Sequence, residues 1–122
     1  MGLSSMNSHD IKVLQKITEH AQKVMSYASR YDQMDEFLKD EMCVEACVFN
    51  IMQIGELAHN ELSAETKNVL SNIPWKSIYG LRNRIVHGYE SVRMIVIWEI
   101  ATNNIKPLVD AITQFISLAE QS

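Results

Sequence analysis

Apolar residues recur every three or four positions along almost the whole chain of 122 residues, and only four glycines and two prolines interrupt the pattern. This spacing is typical of amphipathic α-helices, whereas strands would show strict alternation. A β-rich fold also needs many turns, and the chain has few turn-forming residues. The length suits one domain. We therefore predict a single all-α domain over 1–122. Residues 1–6 are expected to be disordered or to have been added for recombinant expression.

The periodic stretches predict an antiparallel bundle of four main helices over 8–28, 40–61, 74–87 and 91–119, with short helices at 33–38 and 64–72. Pro107 falls inside the last helix and is expected to kink or break it. Gly88 is expected to follow the third helix as a C′ residue that is free to adopt a positive φ. The last helix carries a seam of regularly spaced apolar residues, typical of bundle packing: Trp98, Ala101, Ile105, Leu108, Ile112, Phe115 and Ala119.

The predicted helix 40–61 is apolar over more than one face, so we expect it to be buried centrally or shared with a partner subunit. It holds the only cysteines, Cys43 and Cys47. No second Cys or His pair stands at zinc spacing, so these are interpreted as buried reduced thiols and no metal is expected. Trp75 and Trp98 are interpreted as packing residues. The remaining histidines are expected at the surface: His9, His20 and His59.

The overall charge of −4 is unlike that of a protein that coats nucleic acid. The longest charge-free apolar run covers only 94–98, far short of the roughly 20 residues that a membrane span needs. We therefore expect a cytoplasmic protein with no membrane partner.

One segment, 75–93, departs from this acidic background. It carries four cations against Glu90 alone, namely Lys76, Arg82, Arg84 and Arg93. Such a segment offers a place for a phosphate group. The alternative is a solvated helix face with ordinary salt bridges.

Within this segment Asn83 and His87 are four residues apart, so a helix places them on one face. The Asn83 amide could fix the orientation of the imidazole. The adjacent Arg82 offers a planar guanidinium that suits phosphate. Glu56, in the apolar second helix, could orient Arg82 or simply face solvent. The alternative for the whole group is a histidine and an arginine that only cap the end of a helix.

The string Arg82-x4-His87-x-Tyr89 resembles the R-x4-H-x-Y motif of HepT-type toxins, which belong to the HEPN superfamily of helical ribonucleases. The resemblance extends over roughly residues 9–119. Other landmarks occur in the same order: Ile54-Gly55-Glu56, Ile73-Pro74-Trp75, Gly80-Leu81-Arg82-Asn83 and Val96-Ile97-Trp98.

This resemblance implies an HEPN-like bundle and a metal-independent endoribonuclease toxin of a type VII-like toxin–antitoxin system, with no cofactor. It implies that Arg82 and His87 are catalytic, with Asn83 as their polar neighbour. It further implies a homodimer with the motif at its interface. Tyr89 would be AMPylated by an MntA-type minimal nucleotidyltransferase antitoxin. Tyr79 could compete as the acceptor, but it precedes the motif. Lys76, Arg84 and Arg93 are candidate contacts to RNA phosphates.

RNA cleavage through the 2′-hydroxyl needs a base, an acid and positive charge on the phosphorane. One histidine cannot fill both proton-transfer roles at once, but two His87 side chains in a two-fold dimer could. We expect RNase-A-like products, a 2′,3′-cyclic phosphate and a 5′-hydroxyl, from an RNA such as tRNA or mRNA. The alternative function is a non-catalytic helical module that partners a nucleotidyltransferase and uses the basic segment to hold nucleotide or protein.

Overall fold

A computed structural model describes residues 8–121, and the prediction for residues 1–6 lies outside this range. Within the described residues every regular element is helical. The elements are α1 (Ser8–Ala28), α2 (Met34–Lys39), α3 (Glu41–Asn60), α4 (Ala64–Val69), α5 (Trp75–His87), a 3₁₀ turn (Tyr89–Ser91), α6 (Met94–Glu99), a π turn (Ile100–Asn104) and α7 (Ile105–Gln121). The predicted all-α bundle is confirmed, with most boundaries shifted by one to three residues.

Helix α3 lies between α1 and α5, and α1 also packs against α7. The α1–α3 pair is antiparallel, because His20 contacts Asn50 while the Cys43 thiol contacts the Tyr27 carbonyl at the other end. One face of α3 is buried, as its apolar sequence predicts, but Phe49 remains 53% exposed. The other expectation for this helix, a shared subunit interface, stays a prediction.

Local capping sets the ends of these helices. Asp40 accepts a hydrogen bond from the Cys43 amide at the start of α3 and another from the Tyr31 hydroxyl. The Tyr31 hydrogen bond lowers the pKa of Asp40. Ser63 caps α4 by accepting from the Thr66 amide at 3.2 Å. Each cap satisfies a backbone N–H group that the helix itself leaves without a partner.

Asp10 links the start of α1 to the start of α4 through hydrogen bonds. Its carboxylate is 3% exposed and accepts hydrogen bonds from the Ser63 hydroxyl and the Thr66 hydroxyl, both at 2.7 Å, and from the Ser63 amide at 3.1 Å. Burial alone would raise the pKa of Asp10, but the hydrogen bonds from Ser63 and Thr66 outweigh it and lower the pKa. The ionised carboxylate is therefore part of the folded structure.

The C-terminal helical path differs from the prediction at Pro107. Helix α7 continues through Pro107 unbroken, and the departure from α-geometry lies one turn earlier, over 100–104. Proline lacks an N–H group and its ring crowds the carbonyl four residues before it, here that of Asn103. The π turn is wider than an α-helical turn and includes the Asn103 carbonyl, so it relieves the crowding by the proline ring. The path also begins at Met94, not at residue 91, because a 3₁₀ turn precedes it.

The apolar seam of the last helix packs as predicted. Ala101, Ile105, Leu108, Ile112 and Phe115 are buried, while Trp98 and Ala119 are half-buried at its ends. Trp98 contacts Phe37 of α2 with ring centroids 5.0 Å apart, which fits its interpretation as a packing residue. Trp75 donates from Nε1 to the Leu70 carbonyl at 3.1 Å.

No helix in the described part of the chain combines the length and apolar character that crossing a membrane requires.

Candidate active site

Helix α5 lies at the surface of the bundle and carries most of the predicted site. Of its 13 residues only Ile85 is buried. Arg82 lies on the side that faces α3, and Asn83 and His87 share a neighbouring face. Arg82 and Asn83 are half-buried, whereas His87 is exposed. Val86, one residue before the histidine, is 45% exposed. The helix therefore presents its polar residues to solvent instead of burying them.

Gly55 allows α3 and α5 to approach each other closely. A Cβ atom at position 55 would lie 2.6 Å from the Arg82 Cβ and 3.3 Å from the Ile78 carbonyl oxygen. Such distances leave no room for a side chain, so the stem of Arg82 rests directly on the α3 backbone. The glycine thus places the arginine beside the next residue of α3, Glu56.

Arg82 is held by two acceptors on different elements. Its Nε donates to Oε1 of Glu56 in an ion pair, and its Nη1 donates to Oδ1 of Asn83 at 2.8 Å. Nη2 makes no hydrogen bond to the described residues, and a guanidinium has five N–H donors in all. The planar group is therefore fixed in orientation while several donors stay available to an anion. Glu56 contacts Arg82, the arrangement that the sequence left as one of two alternatives.

Asn60 supports this ion pair and was not identified from the sequence. Its Nδ2 donates to the second carboxylate oxygen of Glu56 at 3.1 Å. The sequence feature that could have identified Asn60 is its position four residues after Glu56, which places both side chains on one face of α3. The result is a hydrogen-bonded chain from Asn60 through Glu56 and Arg82 to Asn83.

His87 is the last residue of α5 and is exposed. It makes no hydrogen bond to any residue from 8 to 121, so both ring nitrogens are available to a ligand or a partner. In the structure Asn83 forms its hydrogen bond with Arg82, and no hydrogen bond joins Asn83 to His87. The predicted shared face is present, but the predicted amide–imidazole contact is absent.

The turn that follows α5 presents Tyr89 at the surface, where its side chain is 44% exposed. Gly88 follows α5 as expected, but it does not adopt the positive φ that a glycine allows, because its φ is −162°, in the extended region. The limited space around its Cα atom explains better why a glycine occupies position 88. A Cβ there would lie 3.3 Å from the Ser91 hydroxyl oxygen, and this hydroxyl donates to the Gly88 carbonyl at 2.6 Å.

The candidate phosphate contacts Lys76, Arg84 and Arg93 are all exposed. None forms an ion pair with a carboxylate among the described residues. The alternative of a face neutralised by ordinary salt bridges therefore does not describe these three cations. Lys76 shares a face of α5 with Asn83 and His87, whereas Arg93 precedes α6.

A stacked pair of rings adjoins the Arg82 site. His59 of α3 lies on Tyr79 of α5, with centroids 3.7 Å apart and an interplanar angle of 15°. His59 is exposed, as the sequence predicts, and so is His9 beside Glu61. His20 is half-buried instead, because its Nδ1 pairs with the Oδ1 atom of the buried Asn50 at 2.8 Å.

Side chains that commonly bind metals are dispersed. Among residues 8–121 no group of three or more His, Cys, Asp or Glu side chains is arranged to hold a metal ion. Cys43 and Cys47 are free and buried, as predicted. Burial raises the pKa of the Cys47 thiol to about 12 and also raises that of Cys43. Both therefore remain protonated, and weak as nucleophiles, at neutral pH.

Comparison with known proteins agrees with the motif. Residues 17–115 match the family described as Ribonuclease HepT-like. "Putative RNase MJ1380" of Methanocaldococcus jannaschii is 30% identical over 101 residues, which cover 82% of this chain and 91% of that protein. "Putative RNase TTE0752" of Caldanaerobacter subterraneus subsp. tengcongensis is 35% identical over 74 residues, or 61% of this chain and 65% of that protein.

A further similar protein, "Putative RNase MJ0127" of Methanocaldococcus jannaschii, is 29% identical over 101 residues that cover 82% of each chain. No solved structure gives a significant match. The family match spans most of the chain and includes Gly55, the Glu56–Arg82 ion pair and His87. The chain therefore belongs to the HepT-like ribonuclease family.

Proposed function

We propose that the protein is a metal-independent endoribonuclease toxin that cleaves RNA with Arg82 and His87. One observation carries the proposal. Arg82 is oriented by Glu56 and Asn83 but keeps free donors, and the exposed His87, with no partner among residues 8–121, lies on the same helix. An oriented cation and an unengaged imidazole on one helix are the minimum that 2′-hydroxyl chemistry needs at a phosphate.

In this proposal Arg82 binds a non-bridging oxygen of the scissile phosphate and stabilises the charge that develops on the phosphorane. One imidazole removes the proton of the 2′-hydroxyl, and the 2′-oxygen attacks phosphorus. The bond to the 5′-oxygen breaks as a second imidazole protonates that oxygen. The products are a 2′,3′-cyclic phosphate and a 5′-hydroxyl.

The second imidazole would come from His87 of a second copy, which makes the active form a homodimer. The exposed outer side of α5 supports this, because only Ile85 of that helix is buried within one subunit. Lys76, Arg84 and Arg93 would contact flanking phosphates of the RNA. Such a toxin would act in the cytoplasm, where tRNA and mRNA are available.

The regulatory part of the proposal concerns Tyr89. We propose that an MntA-type nucleotidyltransferase antitoxin AMPylates its hydroxyl and so silences the enzyme. The residue is exposed, directly follows His87-Gly88 and lies within a short 3₁₀ turn. A bulky anionic group at this position would compete with RNA for the nearby arginines.

The test is incubation of the purified protein with total RNA in EDTA. We expect wild-type protein to cleave the RNA, and Arg82→Ala and His87→Ala each to lose about 10²–10⁴-fold in rate. His9→Ala and Arg30→Ala, on exposed residues outside the motif, are the matched controls and should cleave normally. Cleavage that stops in EDTA and returns with Mg²⁺ would show that the metal-free mechanism is wrong.

The alternative function, a non-catalytic module that partners a nucleotidyltransferase, predicts a different outcome. In that case the wild-type protein binds a nucleotidyltransferase but leaves RNA intact, and His87→Ala changes nothing. The exposed His87, which makes no hydrogen bond to residues 8–121, supports the catalytic proposal, because proton transfer needs an unengaged imidazole whereas holding a nucleotide needs only the cations.

A further inference from the structure

We propose that the stacked rings of His59 and Tyr79 form a platform on which an unpaired base of the RNA substrate stacks while Arg82 holds a neighbouring phosphate. This inference rests on the proposed RNA-cleaving function and adds the class of substrate to it, namely single-stranded segments of RNA.

The first support is the geometry of the pair. The two rings come from different helices, yet they are nearly parallel, at 15°, with centroids 3.7 Å apart. His59 is exposed, whereas Tyr79 is half-buried beneath it. The phenol ring covers one face of the imidazole, and in this proposal the exposed His59 offers its other face to a third flat ring. Bases of single-stranded RNA bind proteins by stacking on such faces.

The second support is the position of the pair along the α3–α5 seam. The helices are antiparallel there, because Glu56 lies opposite Arg82 and His59 lies opposite Tyr79. On each helix the residue of the ion pair and the residue of the ring pair are three positions apart, or about 4.5 Å along the helix axis. The platform is thus one turn from the guanidinium, on the side away from His87. A phosphate on Arg82 would leave the base of an adjacent nucleotide within reach of the rings.

The third support is the charge around the platform. Tyr79 is four residues before Asn83 and three after Lys76, so the rings adjoin the exposed polar face of α5. Lys76 has no carboxylate partner among the described residues. Lys76 and Arg82 lie three residues before and three residues after Tyr79 on α5, and positive charge beside an aromatic platform is a combination that binds single-stranded nucleic acids. Duplex RNA would gain little from it, because the bases inside a duplex already stack on their neighbours through both faces.

The test measures binding to the catalytically silent His87→Ala protein, so that the RNA stays intact. The probes are a short single-stranded oligoribonucleotide and a series in which one nucleotide at a time is abasic. We expect one abasic position to weaken binding by about fivefold or more. In a protein that also carries His59→Ala, the same abasic position should have no further effect, because the platform is already absent.

Three further variants complete the design. His59→Phe keeps a flat ring and should bind within about threefold of the parent. His59→Gln is a second ringless variant suited to an exposed helical position, and it should repeat the loss seen with His59→Ala. His9→Ala, another exposed histidine, should bind like the parent.

An abasic effect of equal size with and without the His59 ring would overturn the platform while leaving RNA cleavage by the wild-type protein intact. If no variant binds RNA and the wild-type protein cleaves none, the proposed function fails and the platform fails with it. The two failures are therefore distinguishable.

Discussion

Arg82 lies so close to the backbone of Gly55 that a methyl group at position 55 would come within 2.6 Å of the Arg82 Cβ atom. The neighbouring residue, Glu56, then forms an ion pair with the same arginine. The glycine and the glutamate have different tasks: one lets the helices approach, and the other orients the guanidinium.

Gly55→Ala should therefore displace α5 from α3. We expect a loss of about 1–3 kcal/mol in the free energy of unfolding, as for other overpacked positions, together with reduced RNA cleavage. Urea denaturation and the cleavage assay measure the two effects. Gly80→Ala in α5 is the matched control, because a Cβ there meets nothing within 4 Å. It should be neutral or stabilise by about 0.5–1 kcal/mol. Equal effects of the two substitutions would contradict the close approach.

Glu56→Gln should lower the cleavage rate more than it lowers stability. The Arg82 and Glu56 side chains are 22% and 31% exposed, so solvent weakens the ion pair, and its loss should cost no more than about 1 kcal/mol of folding free energy. Without the charge, Arg82 is less firmly oriented, and we expect a fall of about tenfold in kcat. Glu45→Gln, at an exposed position of the same helix, should change neither quantity. Unaltered kcat in Glu56→Gln would exclude an orienting role.

The folded state should become less stable in acid because of Asp10. Its pKa is lower in the folded protein than in the unfolded chain, where a carboxyl titrates near 3.9. Its contribution is therefore complete above about pH 5 and declines as the pH falls through the unfolded and then the folded pKa. Asp10→Asn should lose about 1–3 kcal/mol at neutral pH and show a shallower decline between pH 5 and 3. Urea denaturation across this range tests it, with the exposed Asp32→Asn as control. Parallel declines in wild-type and Asp10→Asn proteins would disprove the assignment.

The sequence predicted what is local in this structure. Helix periodicity depends on neighbouring residues, and the predicted helices agree with the structure to within a few positions. The family could be identified because the R-x4-H-x-Y motif occurs together with an ordered set of other landmarks, and the roles of Arg82 and His87 stay a prediction. Pro107 was misjudged because the π turn before it is not visible in a pattern of apolar residues. Gly88 does not use the positive φ that was open to it, because contact with a nearby hydroxyl, and not a left-handed conformation, makes a glycine suitable there.

Contacts between elements distant in the chain could not be predicted in the same way. Asn60 and Glu56 share a helix face, but only the packing of the helices shows that Arg82 of α5 contacts Glu56. The same holds for His59 and Tyr79, which lie 20 residues apart in the chain. Periodicity identifies the face that a helix buries, whereas the partner of a particular residue depends on how far one helix slides along another.

The composite-site proposal predicts that the active protein is a dimer at micromolar concentration. Val86→Lys places a charge on the outer side of α5 and should dissociate the dimer and reduce cleavage, because a lysine at an apolar contact must lose its hydration. Val69→Lys is the matched control, since Val69 of α4 is 55% exposed and Val86 is 45% exposed. It should leave both quantities unchanged. Sedimentation measures the association, and a monomer that retains full RNase activity would rule out a site shared between subunits.

Tyr89→Phe should separate regulation from catalysis. The change keeps the ring and removes the oxygen that would accept the AMP group. With a cognate nucleotidyltransferase present, we expect the wild-type protein to be modified and silenced, because the added phosphodiester carries a negative charge that can occupy Arg82 and Arg84, and the adenosine fills space that RNA needs. The variant should escape modification and remain toxic. Tyr79→Phe should be modified like wild type.

Mass spectrometry locates the adduct, and circular dichroism checks that modification leaves the helical fold unchanged, as expected if inhibition comes from occupancy and charge. An AMP group on Tyr79 in the wild-type protein would refute the assignment of Tyr89. A Tyr89→Phe protein that is inactive without any partner would give the hydroxyl a different role, in catalysis or in RNA binding. Since Tyr89 is exposed and makes no side-chain hydrogen bond to residues 8–121, loss of its hydroxyl should not disturb the fold, and the activity of the unpartnered variant can be interpreted directly.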